Sequence, residues 1–334
     1  MAPPFRHRGS ISKERFSTFA STLRTQAYHD PSARGAASHN LRSIAWNPLG
    51  TLIAAGAADK TLRVWNPDRA NVRWSTELKG HTAGIEKVAF NPVKDAELCS
   101  VSIDGVVKFW DVRTKAVIQE ITGLGEAFTL AWAPDGESLV VGNKADNIYV
   151  LSPTQSTPLA SHQQSVQTNQ ICFCHSGKKI FVTTGEGRTK ILSYPDFEPI
   201  LYTNDAHTTP FTLNGHTSSC YSVEMQPTAR FLATGGSDSI IALWDTTDWH
   251  CQRTLIDMVG PVRSISFSFD GSYVVGGSDE GPEILIAHAE TGDTVHSIKT
   301  AAPSPMVAWH PSRYCLAYAD SGSLKILGVD PERK

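Results

Sequence analysis

One apolar pattern returns along this chain at a nearly constant interval, and only a repeat architecture accommodates it. Each instance is an alternating apolar strand that ends on an aromatic residue or Met, often followed by a Pro or Gly turn. The instances are Ile44-Ala45-Trp46-Asn47-Pro48, Val88-Ala89-Phe90-Asn91-Pro92, Leu130-Ala131-Trp132-Ala133-Pro134, Ile171-Cys172-Phe173, Val223-Glu224-Met225-Gln226-Pro227, Ile265-Ser266-Phe267 and Val307-Ala308-Trp309-His310-Pro311. The anchors Trp46, Phe90, Trp132, Phe173, Met225, Phe267 and Trp309 stand 44, 42, 41, 52, 42 and 42 residues apart. Five of six intervals fall between 41 and 44, so seven copies of one unit are present.

Each unit repeats a second order of structure. A turn marked by Gly50, Gly136, Gly177 or Gly271 leads to a second apolar strand. An acidic turn follows at Asp59, Asp104, Asp146, Asp238, Asp279 and Asp320, then a third strand ending near Trp65, Trp110, Leu151, Leu192, Trp244, Ile286 and Leu327. Segments such as Ala116 to Ile121 and Thr294 to Ile298 supply a fourth. Proline fixes φ where such a turn begins and glycine permits positive φ where it ends, so these are hairpin signals with a mechanism. Four short antiparallel strands per unit make a propeller blade. The clearest third strands, Thr61-Leu62-Arg63-Val64-Trp65-Asn66, Val107-Lys108-Phe109-Trp110-Asp111 and Ile241-Ala242-Leu243-Trp244-Asp245, with Gly80-His81 and Gly215-His216 upstream, carry the WD40 signature. The expected fold is all-β, a seven-bladed WD40 β-propeller over residues 16–330.

The seventh unit stops after its third strand, near Gly328. Its fourth strand must come from elsewhere, or an open edge remains. The alternating stretch Leu23-Arg24-Thr25-Gln26-Ala27-Tyr28 is expected to close the ring. Residues 1–15 are expected to be a disordered basic arm. The interval of 52 residues is about ten longer than the rest; its excess near Asp205 to Gly215 reads as a strand-free surface insertion.

Charge is unevenly distributed. Residues 1–35 hold six basic and two acidic residues, a net of +4, which leaves −7 on the remainder of a chain whose formal charge is −3. Such an arm suits weak, salt-sensitive contact with RNA or an acidic partner. It also has the Arg- and Ser-rich composition of a transit peptide, a reading opposed by the need for residues 23–28 in the closed ring. The propeller itself has no broad basic face and no aromatic–basic RNA motif. No apolar run approaches the ~18 residues that would cross a membrane. Six cysteines lie without CxxC spacing and read as reduced core thiols.

The chemistry-bearing residues favour structure over catalysis. His81, Ser100, Asp104 and Trp110 have the spacing of a buried chain in which Trp donates to Ser, Ser to His and His to Asp. His216, Thr234, Asp238 and Trp244 repeat it. Two copies on blade-internal positions, without a glycine-flanked nucleophile elbow, point to a scaffold network. Cys172-x-Cys174-His175 puts two thiols on one strand face with no second zinc pair after it, so core packing is expected, and no metal. Gly185-Glu186-Gly187 lacks the Lys and Ser/Thr of a phosphate loop and reads as a turn. No cofactor and no small-molecule substrate are expected. Four residues before each anchor stand Arg42, Glu86, Phe128, Asn169, Tyr221, Arg263 and Pro305, at the rim where first strands begin. Arg and aromatic residues dominate binding hot spots, which selects Arg42, Phe128, Tyr221 and Arg263 as candidates for partner contact.

Residues outside the generic repeat narrow the family. Gly142-Asn143-Lys144-Ala145-Asp146 closes the third unit. Ile191-Leu192-Ser193-Tyr194-Pro195 closes the fourth, followed by Pro199-Ile200. Further on come Phe231-Leu232-Ala233-Thr234-Gly235, Pro261-Val262-Arg263-Ser264-Ile265-Ser266-Phe267-Ser268-Phe269-Asp270-Gly271, Glu290-Thr291-Gly292-Asp293 and Val307-Ala308-Trp309-His310-Pro311. Over roughly residues 40 to 328 this series resembles the WD40 subunits of the THO complex, part of the transcription–export assembly. The stretch at 205–215 and the short final unit depart from that pattern. The resemblance implies a nuclear scaffold without enzyme activity. Its partners would be large helical THO subunits, and it would serve messenger RNA packaging and export. The alternative on the same fold is a scaffold of another nuclear assembly, such as a chromatin-modifying complex or a ubiquitin ligase. A propeller enzyme would instead need acidic or His residues converging on the central channel from several blades.

Overall fold

The computed structural model describes residues 10–28, 40–69, 75–203 and 208–329. The chain forms seven four-stranded antiparallel sheets around an axial channel. Six blades are built from consecutive strands. The second, for example, runs Ile85–Phe90, Glu97–Ser102, Val107–Asp111 and Ala116–Ile121. The first strand of each blade lines the channel and the fourth lies at the outside.

The second strands are the ones buried on both faces, so they lack the alternation of burial that marks a sheet with one face in water. Glu97–Ser102, Phe231–Gly236 and Tyr273–Ser278 are buried at every position. Both faces of a blade must therefore be covered by neighbours. Seven apolar clusters occupy the seven blade interfaces. Leu62, Ile85, Leu98 and Trp110 meet between blades one and two; Tyr28, Leu41, Ile53 and Ile326 meet between seven and one. Burial of each such side chain is worth roughly 1.5–3 kcal/mol.

The seventh blade is completed by the chain's beginning. Strand β1 (Thr25–Tyr28) pairs antiparallel with Ser323–Leu327, with Thr25 opposite Leu327 and Tyr28 opposite Leu324. Tyr28 is 1% exposed, within the cluster that joins blades seven and one. Closure thus pairs both ends of the chain in one sheet and leaves no blade edge facing a gap in the ring.

The arm departs from expectation. Residues 1–9 lie outside the described residues, but residues 10–15 are ordered. Helix α1 (Lys13–Thr22) places Phe16 and Ala20, four residues apart, on one buried face. Phe16 stacks on Tyr273 with ring centroids 3.8 Å apart, and Tyr314 meets it edge-on at 5.7 Å. Tyr273 Oη donates to the Ile11 carbonyl at 2.6 Å, Ile11 N–H donates to Tyr314 Oη at 3.1 Å, and Tyr314 Oη donates to Asp270 at 2.6 Å. Lys13 pairs with Asp293. A helix whose apolar side chains fill the seam of blades six and seven cannot remain a free arm.

The long fourth-to-fifth interval is also differently placed from the expectation of a strand-free insertion at 205–215. Thr212–Asn214 is the outer strand of blade four, paired with Arg188–Lys190, and Leu213 is buried. The extra length lies mainly before it, where single bridges join Leu192 to Pro199 and Tyr202 to Pro210. Residues 204–207 are outside the described set. Third strands run away from the channel end at which first strands begin, so this excursion leaves the opposite face of the ring.

Adjacent blades are also latched at that opposite face by the residue following an anchor. Asn91 Nδ2 donates to the Gly136 carbonyl at 2.9 Å and Gln226 Nε2 to the Gly271 carbonyl at 2.7 Å. His310 Nε2 lies 2.9 Å from the Gly50 carbonyl, across the seam between blades seven and one. Gly50 holds φ at +69°, and a Cβ there would lie 2.1 Å from the His310 ring, so both backbone and space demand glycine.

Two outcomes are expected. Phe16→Ala should destabilise the fold by about 3–5 kcal/mol, read as a shift in the urea midpoint. Removal of residues 1–28 should expose the edge of Ser323–Leu327 and produce concentration-dependent association in light scattering; a monomeric truncated chain of unchanged stability would contradict the closing role.

Candidate functional site at the channel mouth

The same irregularity recurs in the first strands of blades one to six. The pairing register slips between Leu41 and Ser43, Ile85 and Lys87, Ala127 and Thr129, Thr168 and Ile171, Cys220 and Ser222, and Val262 and Ser264. The skipped residues are Arg42, Glu86, Phe128, Asn169 with Gln170, Tyr221 and Arg263. A β-bulge leaves its extra residue unpaired and re-aims the side chain. Here it turns one side chain per blade toward the axis. Seven-fold packing then gathers them around one mouth of about 340 Å³, lined by Arg42, Glu86, Phe128, Asn169, Tyr221 and Arg263.

The four side chains that sequence reasoning selected, Arg42, Phe128, Tyr221 and Arg263, thus share one opening. Pro305 does not line it; Met306 stands there instead, because the first strand of blade seven begins only at Val307. Arg263 is held in place from two sides. Its Nε donates to Asp279 at 2.7 Å, and its guanidinium lies 4.3 Å from the centre of the Tyr221 ring. Arg42 pairs with Glu86 of the next blade. Asn169 is engaged internally, donating to the Cys220 carbonyl at 2.8 Å.

Below the rim, most polar side chains link blade to blade. Ser43 Oγ accepts from Val88 N–H at 3.1 Å; Ser266 Oγ accepts from Trp309 N–H at 2.9 Å. Gln170 both donates to and accepts from the Val223 backbone at 3.3 Å. Lys87 and Glu224 do not join this set. Both line a chamber of about 300 Å³ below the mouth. Burial pushes the Glu224 carboxyl up to about 7, with Lys87 opposing. Burial lowers the Lys87 ammonium, with Glu224 opposing. Sequence reasoning missed both residues and the bulges. The available signal was a break in alternation, two polar residues in a row at Arg42-Ser43, Glu86-Lys87 and Asn169-Gln170.

The blade-internal networks are realised unequally. In blade five the chain is complete: Trp244 Nε1 donates to Thr234 Oγ1 at 2.9 Å, which is 2.8 Å from His216 Nε2, and His216 Nδ1 is 3.0 Å from Asp238. In blade two the expected last link is missing. Trp110 Nε1 donates to Ser100 Oγ at 2.8 Å and His81 Nε2 lies 2.6 Å from that oxygen, but among the described residues His81 Nδ1 has no partner. Asp104 instead accepts from Thr82 Oγ1 at 3.0 Å and Val106 N–H at 3.2 Å. Burial, reinforced by the charge of Lys108, lowers His81 to about 4.

Cys172 and Cys174 pack beside the apolar seam of blades four and five, and His175 Nε2 lies 2.8 Å from the Gln226 carbonyl. Burial raises the thiols of Cys99, Cys172 and Cys220, which keeps them neutral. Among the described residues no three His, Cys, Asp or Glu side chains converge as metal ligands. Gly185-Glu186-Gly187 forms the turn between Lys179–Thr184 and Arg188–Ser193.

These features define a WD40-repeat β-propeller, and the family model for the WD domain, G-beta repeat, matches residues 33–66, 73–111, 207–245 and 249–281. The chain is 34% identical to THO complex subunit 3 of Arabidopsis thaliana, over 87% of this chain and 92% of that protein. It is also 34% identical to the WD repeat-containing protein AAC3 of Dictyostelium discoideum, over 83% of this chain and 61% of that protein. The human serine-threonine kinase receptor-associated protein is more distant, at 23% identity over 62% of this chain and 55% of its own length. The chain belongs to the THO complex subunit 3 family of WD40-repeat scaffolds.

The ordinary imidazole value is 6.5 and the folded value of His81 is about 4. The unfolded chain therefore binds a proton that the folded chain refuses between these limits. Stability from neutral His81 is complete above pH 6.5, falls as pH drops toward 4, and amounts to at most about 3 kcal/mol. His81→Gln should flatten the decline of the urea midpoint across that window; an unchanged slope would remove His81 as its cause.

Proposed function

We propose that this propeller is a non-catalytic scaffold subunit of a THO-type assembly in the nucleus, where it supports co-transcriptional packaging and export of messenger RNA through protein–protein contacts. The observation that carries the reading is the bulge repeated in six blades, which presents Arg42, Phe128, Tyr221 and Arg263 around one mouth. Side chains with reactive or polar groups are engaged structurally: His216, Thr234 and Asp238 hold a blade together, and Ser43, Gln170 and Ser266 join neighbours. Arg263 stacked on Tyr221 is preorganised, which lowers the ordering cost of binding. Such anchors are the residue types on which interface energy concentrates.

The partners in this reading are the large helical subunits of the assembly, with RNA reached weakly and in a salt-sensitive manner through basic residues of the N-terminal segment. The relation to the plant subunit, across nearly the whole of both chains, supports this assembly over a chromatin-modifying complex or a ubiquitin ligase.

Affinity purification from nuclear extract followed by mass spectrometry tests the reading. Large helical THO subunits are expected among the main partners, and the double variant Tyr221→Ala with Arg263→Ala should weaken their binding about 30-fold, as loss of ~2 kcal/mol of hot-spot energy implies. Ubiquitin-ligase or chromatin subunits as main partners would overturn the assembly, and undiminished capture by a folded double variant would overturn the mouth as its contact.

A further inference from the structure

The mouth holds three cations, and their situations differ. Arg42 is paired with Glu86, and Arg263 is paired with Asp279 and stacked on Tyr221. Lys87 lines both the mouth and the chamber beneath it, so it stands where the two meet. Among the described residues it has no hydrogen-bond or ion-pair partner. Glu224, whose charge opposes the lowering of the Lys87 ammonium, lines the chamber but not the mouth, and among the described residues the two form no ion pair. Gln170, Ser43 and Ser264, which share this wall, are occupied in bonds between blades.

A half-buried ammonium surrounded by protein has lost much of its hydration without gaining a counter-ion. An anion that reaches it recovers that loss, and the low local dielectric strengthens the pairing. The surroundings say which anion. Phe128, Tyr221 and Met306 form the apolar part of the mouth. The carboxylates Glu86 and Asp279 stand at the rim as counter-ions of the two arginines, and the chain beyond its first 35 residues has a net charge of −7. A run of acidic residues is repelled at that perimeter. One carboxylate flanked by apolar side chains is not.

Resting on the reading of the mouth as the partner contact, we infer that it is a socket for a single acidic side chain of a partner segment. The carboxylate passes between Phe128 and Tyr221 to pair with Lys87, while apolar neighbours in the segment pack on the two rings. Arg42 and Arg263 keep their own ion pairs and shape the opening. The Lys87 contact selects acid over amide, and the rings supply affinity without that selection.

The test uses the purified full chain and two short fluorescein-labelled, C-terminally amidated peptides. One carries a Glu between Phe and Leu; the other has Gln in place of that Glu. Fluorescence anisotropy is expected to give at least about tenfold tighter binding of the Glu peptide, the size of a charge-assisted hydrogen bond. Lys87→Met should bring the two affinities together, and Lys87→Arg should restore the preference, with thermal unfolding checking that each variant is folded. Equal affinity of the two peptides for the unaltered protein, or a preference that survives Lys87→Met, would overturn the socket. If the socket fails in this way while Tyr221→Ala with Arg263→Ala still loses nuclear partners, the mouth remains the contact and only its acid selection is wrong; if both fail, the mouth is not the contact at all.

Discussion

The apolar seam between neighbouring blades is the interaction on which this structure rests. A four-stranded sheet buried on both faces cannot exist alone in water, and each blade solves the problem for the next. Such a chain of dependencies ends only when the last blade meets the first. That is why strand Thr25–Tyr28 matters beyond its four residues: it completes the seventh sheet and puts Tyr28 into the seam with blade one. Trp46 Nε1, donating to the Ala308 carbonyl at 3.1 Å, and the His310–Gly50 latch secure the same seam with polar contacts. Helix α1 reinforces the neighbouring seam through Phe16.

Ring closure also creates the site. A bulge in an isolated sheet would turn one side chain toward solvent. Six blades with the bulge at the same height turn their side chains toward one axis. The mouth therefore has no local origin in any blade, and its residues are separated by about forty positions in the chain. Its chemistry follows from how the inner polar residues are used. Serines and Gln170 satisfy backbone groups of the next blade, the arginines are neutralised by Glu86 and Asp279, and among the described charged groups of the inner wall Lys87 and Glu224 are left without an ion pair. Their altered affinities for protons reflect that burial.

Much of the fold was legible. The anchors Trp46 through Trp309 marked seven units, turn glycines and aspartates located the hairpins, and the incomplete last unit required a strand from the N-terminal segment. Helix α1 was hidden because Lys13–Thr22 is polar at most positions, and only Phe16, Phe19 and Ala20 betray a face that a tertiary surface must meet. The segment 205–215 concealed a strand because Thr212–Asn214 has only Leu213 to bury. The spacing of His81 and Asp104 matched that of His216 and Asp238, yet only the second pair closes. In blade two, Thr82 presents a hydroxyl that captures the aspartate; in blade five the aspartate accepts Thr217 N–H at 3.0 Å and still reaches the histidine.

The sequence by itself determined the repeat, the number of blades, the strands within them and the residue types at the rim, because periodic burial writes itself into periodic composition. Only the tertiary structure decided which rim side chains face one another, which are neutralised and which stand alone. Bulge geometry, partner choice among hydrogen-bonding groups and the seating of α1 depend on distances between blades far apart in the chain, and those distances exist only once the ring has closed.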